Sequence, residues 1–113
     1  MHTILTPLQI NGMVMQNRFV RSATVDNLGR EGRVTDLQVD LYRNLSRGEI
    51  GLIIPGYMYV HPYGRAMEWQ TGIYSDDMMP GLKQLVDTIH KEKGKVLFQL
   101  SHAGRQTRKK LIG

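Results

Sequence analysis

Gln99, Ser101, His102 and Arg105 stand close together at the end of the apolar run Val96-Leu-Phe98. An amide, a hydroxyl, an imidazole and a guanidinium can all donate hydrogen bonds. Donors gathered where a buried strand ends are how parallel-sheet proteins build ligand sites. A hydrolytic relay is not expected. Ser101 and His102 are adjacent, and adjacent side chains on a strand point to opposite faces; an orienting acid is also lacking. Gln99 can donate and accept at once, which suits a heterocycle edge presenting a carbonyl and an N–H. The alternative is a buried amide satisfied by backbone.

The elements that position this cluster follow from the pattern upstream. Leu5, Leu8, Ile10, Met13 and Val14 flank Asn11-Gly12, a strong hairpin signal because both turn residues tolerate positive φ. Residues 18–22 read as a short strand and residues 26–34 as a loop. Thr35 opens a helix, and Gln38 three positions on completes a capping-box pattern. Leu37, Leu41, Tyr42 and Leu45 form its apolar stripe, and Gly48 is placed to end it. Gly51-Leu-Ile-Ile54 suits a strand buried on both faces. Asp76, Asp77 and Pro80 favour a helix start. Leu82, Leu85, Val86 and Ile89 give that helix a core-facing stripe, Gly94 ends it, and residues 95–100 form the third strand.

The order hairpin, β, α, β, α, β predicts an α/β fold with a parallel sheet and right-handed crossovers. An open doubly wound sheet and part of a (β/α)8 barrel both fit. A barrel needs about 250 residues, so 113 residues hold two βα units and a third strand. In either architecture function gathers at the carboxyl ends of the strands. Those ends are Ser22-Ala-Thr-Val25, Pro55-Gly-Tyr57 and Gln99-Leu-Ser-His102, all on one rim. Ala23 and Gly56 are small enough to let a flat ring approach.

Composition removes several function classes. There is no cysteine, hence no thiolate nucleophile or thiolate metal site. His2, His61, His90 and His102 are scattered and show no metal-ligand spacing. No glycine-rich phosphate motif follows a strand. No apolar run approaches the length of a bilayer span, and the N-terminus lacks the blocks of a signal peptide, so the expected location is cytoplasmic. The net charge of +5 owes four charges to Arg105, Arg108, Lys109 and Lys110; removing these four from +5 leaves +1. A nucleic-acid-binding module using this basic end is the alternative function, although a solvated terminus explains the charges more simply.

Across nearly the whole chain, Leu5-Thr-Pro-Leu-Gln-Ile10, Asn17-Arg-Phe-Val-Arg-Ser-Ala-Thr24, Gly51-Leu-Ile-Ile54, Gly64-Arg65 and Gln99-Leu-Ser-His-Ala-Gly-Arg105 occur in order. Together they resemble the N-terminal third of the Old Yellow Enzyme family of FMN-dependent NADH:flavin oxidoreductases and ene-reductases. The resemblance implies that residues 1–113 are the N-terminal part of a single FMN-binding (β/α)8 barrel domain, with the hairpin closing its bottom. It implies FMN as cofactor, with NADH or NADPH as reductant and an α,β-unsaturated carbonyl compound as substrate. By the same carry-over Ala23, Thr24 and Val25 contact the isoalloxazine ring, Tyr57 meets it from the second strand, and Gln99 hydrogen-bonds its pyrimidine edge. Val25 stands where many members carry Thr or Cys and has no side-chain donor. The family's proton donor, substrate-carbonyl donors and phosphate loops fall beyond Gly113, so no catalytic residue is implied within the chain. His102 and Arg105 are expected to brace the loop after the third strand. Trp69 and Tyr74 are expected to pack the second loop, and Arg65 to be structural. A homo-oligomer is expected, with no membrane or nucleic-acid partner.

Overall fold

The computed structural model describes residues 3–113, so His2 lies outside the described residues. Leu8–Ile10 (β1) and Met13–Met15 (β2) pair antiparallel, with Leu8 opposite Met15. Asn11 takes φ 50°, while Gly12 does not take a positive φ, so only the first turn residue uses the left-handed region. Met15 is buried, while Ile10 and Val14 are exposed.

The remaining strands are parallel. Val20–Arg21 (β3) pairs with Leu52–Ile53 (β4), and Met58–Tyr59 (β5) pairs with Leu100–Ser101 (β6). Ile53 also bridges to Val96, so the β4–β5 segment lies between the first and third strands. Leu52 N donates to Phe19 O at 3.1 Å, Leu97 N to Ile53 O at 3.1 Å and Met58 N to Gln99 O at 2.9 Å. The strand expected over 95–100 has regular pairing only near its ends. Its neighbour is interrupted at Pro55-Gly56, and a proline supplies no amide to a ladder.

Asp36–Arg47 (α1) begins as expected, with Thr35 Oγ1 accepting from Gln38 N at 3.3 Å. The reciprocal half of the capping box does not form. Gln38 is buried, and its amide turns inward to Asp26 and Thr71. The buried face of α1 is Gln38, Val39, Tyr42 and Ser46, rotated from the leucine stripe, and Leu37 is 68% exposed. Leu41 and Leu45 pack at its margin. Hydropathy alone misses this face because two of its members are polar and satisfied internally; Ser46 Oγ donates to Tyr42 O at 2.8 Å. At its end Gly48 keeps φ −75°, and Glu49 takes the left-handed turn at φ 60°.

A 3-10 turn at Asp76–Met78 leads into Met79–Lys91 (α2), which buries Leu82, Leu85 and Ile89. Lys93 takes the left-handed conformation at φ 63°. Gly94 serves close approach instead: a Cβ there would lie 2.8 Å from Ile89 Cγ2. Val39 and Tyr42 of α1 join Leu82, Leu85 and Ile89 of α2 over Ile53 and Met58 in one core. Both helices therefore cover the same face of the strands, as two successive right-handed crossovers in one direction require. A short helix, Lys109–Ile112 (α3), follows β6.

Candidate functional site

The parallel register brings three strand ends to one edge. After β3, Ala23 and Val25 are half-buried and Thr24 is exposed. Thr24 N donates to Ser22 O at 2.7 Å, and the two hydroxyls lie 3.3 Å apart. After β4, Gly56 is buried and Tyr57 half-buried. Tyr57 O accepts from Gln70 Nε2 at 3.0 Å. Before β6, Val96 and Phe98 pack on the core, whereas Leu97 and Gln99 are exposed, as alternation along a strand demands. The Gln99 carbonyl is used by Met58 N, while its side chain makes no hydrogen bond among the described residues. An unpaired amide at a strand end can serve a ligand that both donates and accepts.

His102 turns away from this role. Its Nδ1 accepts from Gly104 N at 2.9 Å, and its ring lies against Gly64, where a Cβ would come within 2.6 Å of Cδ2. It braces the loop, as expected. Arg105 is exposed and forms no ion pair or side-chain hydrogen bond among the described residues, so of the two only His102 braces the loop. Arg65 is structural: Nη2 donates to Leu111 O at 2.6 Å, and its carbonyl accepts from the Thr107 hydroxyl. The Arg30 guanidinium sits 4.5 Å over the Trp69 ring, and Tyr74 packs on Tyr59 with ring centroids 5.4 Å apart. Both aromatics thus pack the loops.

A buried polar network beneath the rim was not legible in the pattern. Asp26 Oδ2 accepts from Tyr42 Oη at 2.6 Å and from Gln38 Nε2 at 3.0 Å. Tyr42 Oη in turn accepts from Gly56 N at 2.9 Å. Gln38 and Thr71 bond each other through their side chains. Burial, and then the bond to Asp26, push the Tyr42 phenol far above its ordinary pKa. The available signal was a glutamine among apolar neighbours on α1 and an aspartate directly after a strand. Among the described residues no group of three or more His, Asp or Glu could hold a metal ion. No helix among them is long and apolar enough to cross a membrane.

Comparison with known proteins agrees with this geometry. The chain is 32% identical over 107 residues to an NADPH dehydrogenase of Halalkalibacterium halodurans, an alignment covering 93% of the chain and 32% of that relative. It superposes on a 2-naphthoyl-CoA reductase in complex with 2-naphthoyl-CoA with TM-score 0.90 and 30% identity, covering 93% of the chain and 16% of that protein. Morphinone reductase gives TM-score 0.89 and 27% identity, covering 96% of the chain and 29% of that protein. The chain spans about a third of the length of the curated NADPH dehydrogenases it matches. These similarities offer no support for nucleic-acid binding through the basic end. The family that uses FMN and NAD(P)H matches residues 3–111, nearly every residue that the strands, helices and rim described above contain. On that match the chain belongs to the NADH:flavin oxidoreductase / NADH oxidase family.

Proposed function

We propose that this chain is the N-terminal part of one FMN-binding (β/α)8 barrel domain in a cytoplasmic enzyme that uses NAD(P)H to reduce activated alkenes. The observation that carries the reading is the exposed, unpaired Gln99 amide, on the same edge as Ala23, Thr24, Val25 and Tyr57. The residues fit a flat heteroaromatic ring. Ala23 is small and half-buried; Gly56, expected to give the ring room, is instead taken up by backbone packing, with a Cβ there falling 3.2 Å from Thr24 O. FMN, when bound, supplies hydride acceptance and donation; the protein supplies position and electrostatics.

Gln99 would hold the pyrimidine edge and favour the reduced, more negative state by donating to it. Ala23, Thr24 and Val25 would line the ring, with Val25 offering contact area and no side-chain hydrogen bond. Tyr57 would close the site from the second strand, its backbone held by Gln70. The proton donor and the residues that polarise the substrate carbonyl lie outside this set. The reductase names of the two structural relatives support reduction as the reaction class. By itself the 113-residue chain should bind FMN weakly, and its exposed Phe19, Val20, Leu97 and Leu100 favour self-association.

The test is anaerobic spectroscopy of the protein that carries this segment. Bound FMN should bleach with NADH or NADPH and regain colour with a cyclic enone. A protein that neither retains nor takes up FMN sinks the reading. Reoxidation by oxygen but by no conjugated carbonyl compound would remove the alkene-reducing part alone.

A further inference from the structure

We infer that Tyr42 is a positioning residue whose phenol oxygen locks together the two strand ends that border the proposed flavin. One atom does this. Tyr42 Oη donates to Asp26 Oδ2 at 2.6 Å and accepts from Gly56 N at 2.9 Å. Asp26 directly follows Val25, and Gly56 directly precedes Tyr57. The inference rests on the proposed flavin site, because Val25 and Tyr57 are two of its expected contacts.

Packing alone does not explain the hydroxyl. Tyr42 is fully buried within the apolar cluster formed by Val39, Ile53, Met58 and α2. Phenylalanine would fill nearly the same space without a polar atom to satisfy. What the oxygen adds is a pair of directed bonds between segments distant in sequence. Asp26 is held from two further sides: Gln38 Nε2 donates to Oδ2 at 3.0 Å and Leu28 N to Oδ1 at 3.0 Å. Gln38 is anchored in turn by Thr71, whose carbonyl accepts from Tyr59 N at 3.3 Å. The network thus reaches from α1 to the end of β3 and to both sides of Tyr57.

Gly56 provides a second, independent mark of the same contact. It does not take a positive φ, so a turn does not require glycine there. Space does: a Cβ would stand 3.1 Å from Asp26 N, 3.2 Å from Asp26 Oδ2 and 3.2 Å from Thr24 O. The two strand ends approach backbone to backbone, and the phenol holds them at that distance. A site loosened at its supporting residues loses geometry before it loses fold.

Two readouts test this in the protein that carries the segment. Tyr42→Phe should speed exchange of the Gly56 amide hydrogen by tenfold or more, roughly the loss of one buried bond. It should also weaken FMN binding roughly tenfold and alter the visible circular dichroism of the bound flavin, with unchanged far-ultraviolet circular dichroism. Gly56→Ala, which strains the same contact from the other side, should give the same flavin signature and serves if Tyr42→Phe does not fold. Wild-type exchange at Gly56 in Tyr42→Phe overturns the lock. Faster exchange with unchanged FMN affinity and dichroism overturns its role at the site. If the wild-type protein takes up no FMN, the proposed function falls and the claim for the flavin site falls with it; the amide exchange then decides the lock alone.

Discussion

Asn17 Oδ1 accepts from Gly51 N at 2.9 Å and from Phe19 N at 3.1 Å, so one side chain sets the first strand beside the second. Asn17 Nδ2 donates to Glu49 O, and the residue is 8% exposed. Glycine is required at 51 because a Cβ would stand 2.7 Å from Asn17 Oδ1. The starts of the two strands are thereby pinned, and the level of their carboxyl ends, where the candidate site lies, follows from that pin.

Asn17→Ala should therefore cost about 2–3 kcal/mol, since the buried Gly51 amide loses its acceptor and other polar groups lose partners. Urea denaturation monitored by circular dichroism measures this. A loss below about 0.5 kcal/mol, the range of ordinary surface changes, would mean that the pin is not energetically significant.

Gly64→Ala should destabilise by about 1–3 kcal/mol through overpacking against the His102 ring, which must then leave its bond to Gly104. His102→Ala should cost less, and the double variant should cost less than the two singles combined. A thermal-denaturation double-mutant cycle with no coupling would show that the two residues do not meet.

Gln99→Leu in the flavin-loaded protein should lower the flavin reduction potential by about 30 mV, the equivalent of about 1.4 kcal/mol for a two-electron couple. Spectroelectrochemical titration reads the shift. Because the side chain is exposed and unpaired, fold stability should change by less than about 0.5 kcal/mol. A large stability loss with an unchanged potential would place Gln99 in the fold and not at the flavin.

Alkaline stability should report on Tyr42. Its folded-state pKa is raised, first by burial and then by the bond to Asp26. The folded state keeps the proton that the unfolded chain releases near pH 10. The stabilisation is thus fully present below about pH 10 and declines as pH rises toward the folded value. Urea titrations between pH 8 and 11 should show this decline in the wild type and a shallower one in Tyr42→Phe. Parallel curves would mean that Tyr42 ionises as freely folded as unfolded.

Arg33→Ala should have little effect, although the guanidinium pairs with the Asp77 carboxylate and bonds Asp77 O at 2.9 Å. Both side chains are more than half exposed, where such pairs are worth little. Thermal denaturation should shift by no more than a few degrees. A larger drop would show that the pair anchors the loop to α2.

What the chain alone determined is what depends on local period and local chemistry. The Asn11-Gly12 hairpin, the order of strands and helices, the Leu82-Leu85-Ile89 face and the rim segments at residues 23–25, 57 and 99 follow from spacing, turn residues and resemblance. Tertiary structure decided which face of α1 turns inward. Gln38 is polar by type and becomes buried because Asp26 and Thr71, from other segments, satisfy it, while Ser46 is satisfied within α1 by the Tyr42 carbonyl. It also decided where the left-handed helix ends fall, at Glu49 and Lys93 beside the glycines and not on them. The lock from Tyr42 to Asp26 and Gly56 belongs to the same class. A hydrogen bond between residues far apart in sequence leaves no periodic trace, and only packing brings its donor and acceptor within reach.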